Sequence, residues 1–197
     1  MESIITLSRK DQIFQTAAKL FREKGFEAAS MRDIAAELGI EAASLYSHIK
    51  SKDEILETIC FRMADEFLAA IAEINEIYFN AEEKLCLAIR NHVKIIAGDL
   101  DSSTVFLREW RNLTGEKLKD FISLRDRYEN GFRDIIWLGE DENIFETVDK
   151  KFAVLTILSA VNWIVEWYKP DGSMTPEEIA INLSDFILTG LRKKSLS

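Results

Sequence analysis

The 197 residues include 47% apolar and 30% charged side chains but only 8 Gly and 2 Pro. That is too rich in core formers and too poor in breakers for a disordered chain or for a turn-rich all-β fold, and it points to helices. The formal charge of −9 argues against a broadly basic coat for nucleic acid, but it is unevenly spread: residues 1–54 carry −1 and the remainder −8, so the acidic part would repel phosphate from everything except the N-terminal segment.

From Arg9 to Lys24 the apolar residues Ile13, Phe14, Ala17, Ala18, Leu20 and Phe21 follow helical spacing, which predicts an amphipathic helix. Gly25 supplies the left-handed residue that ends it, and Phe26 stands where an apolar side chain folds back on the last turn. Ser30 and Asp33 form a capping-box signature for a second helix whose inward positions are Ile34, Ala35 and Leu38. Gly39 and Ile40 allow only a sharp turn before a third helix, expected from Glu41 to Ile49 with Leu45 inward. This is helix-turn-helix spacing.

Ser51 and Glu54 open a long fourth helix through Ile55, Ile59, Met63, Phe67 and Ile71, which would join head to body. Asn80 caps the next, running to about Asp99; shorter helical stretches follow from about Ser103 to Arg111 and from Thr114 to near Gly139. Asp149 to Tyr168 is apolar around most of its circumference, which predicts one helix buried on several sides. Thr175, Pro176, Glu177 and Glu178 then start a last helix to about Leu191.

The run FREKGFEAASMRDIAAELGIEAASLYSHIKSKDEIL from Phe21 to Leu56 resembles the DNA-binding domain of the TetR family of transcriptional repressors. The pattern is carried by Leu20-Phe21, Gly25-Phe26, Ser30 to Ala35, Gly39-Ile40, Ser44-Leu45-Tyr46 and Lys50-Ser51-Lys52, in order and without gaps. The resemblance implies an all-α fold: a three-helix head in residues 1–54 and a helical ligand-binding and dimerisation body in residues 55–197. It implies a DNA-contacting set of Ser30, Arg32, Ala42, Ala43, Ser44, Tyr46, Ser47, His48, Lys50 and Lys52. Arg32 falls where a guanidinium bonds a guanine edge, and Tyr46, His48 and Lys52 where phosphates are gripped. Small Ala42, Ala43 and Ser44 would let the third helix approach the bases closely.

Paired heads about one helical turn apart read a palindrome, so a homodimer on double-stranded operator DNA is expected. The apolar excess of the last two helices places the interface on Val161, Ile164, Val165, Ile179, Leu183, Phe186, Ile187 and Leu191, as a four-helix bundle across a two-fold axis.

The stretch NWIVEWYKPDGSMTPEEIAINLSDFILTG from Asn162 to Gly190, with Arg108 to Arg111, Arg125-Asp126, Tyr128 and Phe132-Arg133, is similar to a TetR subgroup that answers to acyl-coenzyme A thioesters. It implies repression of acid-degrading genes, lifted by such a thioester, with a drug or another hydrophobic molecule as the alternative effector. Phe106, Trp110, Phe121, Tyr128, Phe132 and Trp163 are the residues for an apolar pocket, and Arg108, Arg111 and Arg125 the cations for a nucleotide end.

Other classes find little support. Cys60 and Cys86 lie in apolar helical patterns without CxxC spacing or a nearby histidine, which argues against a metal site. Nucleophile and base pairs, P-loop glycines and HExxH are absent, so neither an enzyme nor a resident cofactor is expected. With neither a leader pattern nor about 18 uninterrupted apolar residues, the chain is expected in the cytoplasm and off the membrane.

Overall fold

The computed structural model describes residues 8–193. They form α1 (Arg9–Lys24), α2 (Met31–Glu37), α3 (Ala42–Tyr46), α4 (Lys52–Glu76), α5 (Ala81–Gly98), α6 (Leu100–Arg108), α7 (Gly115–Asp141), α8 (Lys150–Asn162), α9 (Ile164–Trp167) and α10 (Pro176–Leu191), with a 3-10 turn at Trp110–Asn112. Among the described residues the only β pairing is an isolated antiparallel bridge between Phe145 and Arg192. The chain is all-α, as its composition requires.

Two compact units are present. One runs to Met63 and takes in Asp101–Phe121; the other comprises Ala64–Leu100 and the chain from Ile122 on. Compactness therefore groups α6 and the start of α7 with the N-terminal helices, which a division of the sequence at residues 54 and 55 does not.

In the first unit the local signals act as the sequence implies. Ser8 caps α1 by accepting from the Asp11 amide at 3.1 Å. Gly25 follows α1 with φ +82°, and the Phe26 ring meets Phe21 edge to face with centroids 5.2 Å apart. Ser30 accepts from the Asp33 amide while the Ser30 amide donates back to the Asp33 carboxylate, closing the capping box. At the end of α2, Gly39 has φ +65°; its amide donates to Ala36 and that of Ile40 to Ala35, both at 3.0 Å. This is a Schellman closure, and a side chain at residue 39 would be strained. Ile13, Phe21, Ile34, Leu45 and Ile49 are fully buried together with Ile55 and Leu56, each such side chain contributing roughly 1.5–3 kcal/mol.

The third helix is shorter than expected. It ends at Tyr46, where the Ser47 hydroxyl donates to the Ser44 carbonyl at 2.6 Å and the backbone tightens into a His48 to Leu45 bond. Glu41 occupies its N-cap position but makes no side-chain capping bond.

The second unit is built around α5 packed on α10. Asn80 and Glu83 close a capping box at the start of α5, and Thr175 and Glu178 close another at the start of α10, with Pro176 in its first turn. Arg90 pairs with Glu177 at 2.7 Å, and Arg192 pairs with Glu82. Gly131 of α7 lies so close to α4 that a Cβ there would stand 2.5 Å from Ile71 Cγ1, which fixes the distance between these two helices.

The expected single helix over 149–168 is broken. α8 stops at Asn162 and Trp163 caps it with its amide on Ser159, after which α9 completes one further turn. Nor is the segment buried on several sides: Phe152, Leu155, Trp163 and Trp167 are exposed. The residues expected at the dimer contact differ in their burial. Val161, Ile164, Val165, Ile179 and Leu191 are buried within the chain's own fold. Leu183 and Ile187 are half-buried, whereas Phe186 is exposed. The buried positions Val154, Ile157, Leu158, Val161, Ile164 and Val165 keep one helical spacing across the break, with Phe152, Leu155 and Trp163 on the opposite side.

Candidate functional site

The head presents a small polar face. Leu45 and Ile49 point inward one turn apart, leaving Ala43, Ser44, Tyr46, Ser47 and His48 exposed, with Ala42 half-buried. Arg32 of α2 and Lys50, just before α4, are also exposed. The α4 N-terminus is tied by Ser51 accepting from the Glu54 amide and by the Glu54 carboxylate accepting from the Lys50 amide at 2.8 Å. Ser30 serves the capping box of α2 with both its hydroxyl and its amide, so its first role is structural.

Lys52, expected at a phosphate, is engaged within the head. Its ammonium donates to the carbonyl oxygens of Phe26, Ala29 and Glu27 at 2.7, 3.0 and 3.4 Å, and stands 4.2 Å from the centroid of the Phe26 ring. An ammonium has three donors. All three go to the loop between α1 and α2, so Lys52 acts as a tether inside the head.

Of the expected pocket residues, the first unit gathers Phe106, Trp110 and Phe121, with centroids of the first two 5.5 and 5.9 Å from Phe121. Phe61, to which the sequence pattern assigns no pocket role, joins them at 5.9 Å from Phe121. Arg111 is exposed and its guanidinium stacks 4.5 Å from the Trp110 ring centroid. Arg108 lies exposed at the end of α6.

The second unit gathers another set. Tyr128 and Phe132 touch at 5.4 Å, and Phe67 lies 5.4 Å from Tyr128 and 4.7 Å from His92. His92 continues the inward stripe of Leu85, Ala88, Ile89 and Ile96 on α5, and that spacing is the signal the sequence holds for it. Arg125 is half-buried on α7. Trp163 is not part of this set: it is 63% exposed, and its expected place in a pocket wall is corrected to the outer surface.

Within the same unit, an open groove of about 530 Å³ lies between α4 and α5, lined by Glu66, Glu73, Asp99 and Lys94 among others. Its carboxylates oppose a nucleotide phosphate, and it contains none of the expected pocket residues.

The thiols are chemically quiet. Burial pushes Cys60 up to about 12 and also raises Cys86, which suppresses the reactive thiolate. No helix among the described residues is long and apolar enough to cross a membrane.

Residues 13–59 match the family described as bacterial regulatory proteins, tetR family, and residues 79–191 match the tetracyclin repressor-like C-terminal domain. The chain belongs to the TetR family of transcriptional regulators. Over 186 residues, 93% of this TetR chain and 91% of the relative, it is 26% identical to the HTH-type transcriptional repressor KstR2 of Mycolicibacterium smegmatis. The crystal structure of the TetR family regulator PfmR from Thermus thermophilus matches at TM-score 0.83 and 36% identity, covering 92% of this chain and 99% of that one. The structure of AibR in complex with isovaleryl coenzyme A and operator DNA matches at TM-score 0.80 and 28% identity, covering 91% and 97%. For this TetR member the matches account for the helix-turn-helix head and for a C-terminal domain of the same family.

Proposed function

We propose that this repressor binds a palindromic operator as a homodimer in the cytoplasm and is released by an acyl-coenzyme A thioester. The observation that carries the reading is its likeness, over 91% of its length, to a regulator whose structure holds both isovaleryl coenzyme A and operator DNA. On the head, Arg32 reads a base edge, Ala43 and Ser44 allow close approach, and Tyr46, Ser47, His48 and Lys50 face the phosphates.

Chemical kind supports the effector class. The Phe61, Phe106, Trp110 and Phe121 cluster and the Phe67, Tyr128 and Phe132 cluster are apolar in kind, as an acyl chain requires, since such a chain gains about 25 cal/mol for each Å² it removes from water. Arginine guanidinium groups suit phosphate. Release follows from differential affinity, the thioester favouring a form of the body in which the two heads no longer match successive major grooves.

Operator release measured by fluorescence anisotropy tests this. Isovaleryl- or octanoyl-coenzyme A is expected to free the operator at micromolar concentration, with free acid and free coenzyme A each much weaker. Release by a cationic drug, with every thioester inert, would replace the reading by that of a drug sensor.

A further inference from the structure

His92 is a buried polar side chain that no helix cap or ion pair explains. It is 2% exposed. Its Nδ1 lies 2.9 Å from the Tyr128 hydroxyl, while its Nε2 has no hydrogen-bond partner. The side chain of Asn162 stands close enough to favour a protonated ring but closes no bond to Nε2. Phe67 and Tyr128 provide the aromatic surroundings.

Burial pushes the imidazole down to about 3, and no charged side chain acts on it, so the ring is neutral. A neutral imidazole has one N–H and one acceptor nitrogen. Were Nδ1 the donor, the Tyr128 hydroxyl proton would need a second acceptor inside the same cluster. With Tyr128 donating to Nδ1, the phenol is satisfied and a single group is left over, the Nε2–H. An unpaired buried donor destabilises the ligand-free form, and whatever supplies an acceptor relieves it.

We propose that the Nε2–H of His92 binds the thioester carbonyl oxygen of the effector, with Tyr128 as the positioning residue that holds the donor tautomer. This assignment rests on the acyl-thioester reading above. A carboxylate is a poor occupant, because the rings around His92 offer no cation to a buried anion. Pairing of Nε2 exists only in the liganded form, which is the differential interaction that a switch requires.

The test compares octanoyl-coenzyme A with S-octyl-coenzyme A, a thioether of the same length without the carbonyl. Wild-type protein is expected to bind the thioester roughly ten-fold more tightly, a difference of about 1.4 kcal/mol. His92→Phe should abolish that preference, and His92→Gln, which keeps an amide N–H near the Nε2 position, should retain most of it. Nitrogen NMR of histidine-labelled protein, whose chain has only 2 His, should show His92 protonated at Nε2 before ligand is added and shifted by the thioester alone. Tyr128→Phe should yield a mixture of tautomers. A ring protonated at Nδ1, or wild-type binding of both compounds without preference, overturns the assignment alone, and neither readout needs a variant to fold. Failure of both compounds to bind overturns the acyl-thioester reading and the carbonyl assignment together.

Discussion

The Lys52 ammonium stands 2.7 Å from the carbonyl oxygen of Phe26 and 4.2 Å from the centroid of the same residue's ring. One cation thus holds both the backbone and the side chain of the residue that follows Gly25 at the end of α1. With Ala29 and Glu27 also accepting, the first helix of the head is tied to the start of α4.

Lys52→Met should therefore destabilise the head by about 2 kcal/mol, the scale of hydrogen bonds to a charged group. Thermal unfolding followed by circular dichroism measures it. The salt dependence of operator binding should keep its slope. A variant of unchanged stability whose slope falls by about one unit would restore Lys52 to the phosphate contacts.

The difference between Lys52 and Ser30 shows what a sequence exposes. The Ser30 and Asp33 box, like that of Thr175 and Glu178, is complete within three residues, so the letters alone carry it. Lys52 and Phe26 are 26 residues apart, and His92 and Tyr128 are 36 apart; only the tertiary fold brings them together. The 149–168 segment departs from its expected form for another reason. A helix apolar all round has no preferred inward side, so the letters could not say that Val161 turns in and Trp163 out. The packing of the segment on α5 makes that choice.

Arg32 and Tyr46 are exposed on the head, so replacing either should leave folding unchanged. Arg32→Ala should relax sequence preference at one half-site position, at roughly 1–3 kcal/mol of discrimination. Tyr46→Ala should weaken all sequences alike. Anisotropy titrations against a set of single-position operator variants separate the two patterns, and identical profiles for both variants would remove Arg32 from the base edge.

Acid should act on the body through His92. Its folded pKa is about 3 against 6.5 for the free side chain, so below pH 6.5 the unfolded chain takes up a proton that the folded one does not. Stability contributed by the neutral ring is complete above 6.5 and is lost as pH falls toward 3, at up to about 1.4 kcal/mol per pH unit. Hydrogen bonds hold the carboxyls of Asp33, Glu140 and Glu178 below their usual range; their contributions are lost only as pH drops below about 4.5. Urea midpoints between pH 7 and 4.5 should fall in wild type and stay flatter in His92→Gln. Parallel curves would contradict a buried neutral imidazole.

The proposed dimer can be tested on the outward apolar face. Phe152, Leu155 and Trp163 lie three and eight residues apart along one side of the segment containing α8, and Phe186 of α10 is 82% exposed. Large apolar side chains grouped on a surface mark an interaction site, and their exposure contrasts with that of Ile179, buried at 1%. Phe186→Arg and Phe152→Arg should therefore fold normally yet sediment as monomers, because an unpaired charge in a packed interface costs several kcal/mol. As monomers they should bind a single half-site only weakly and lose the palindrome. Ile179→Arg should instead lose helicity, since it puts the charge into the chain's own core. If both surface variants sedimented as dimers, the interface would have to lie elsewhere on the chain, and the pairing of heads would need a different geometry.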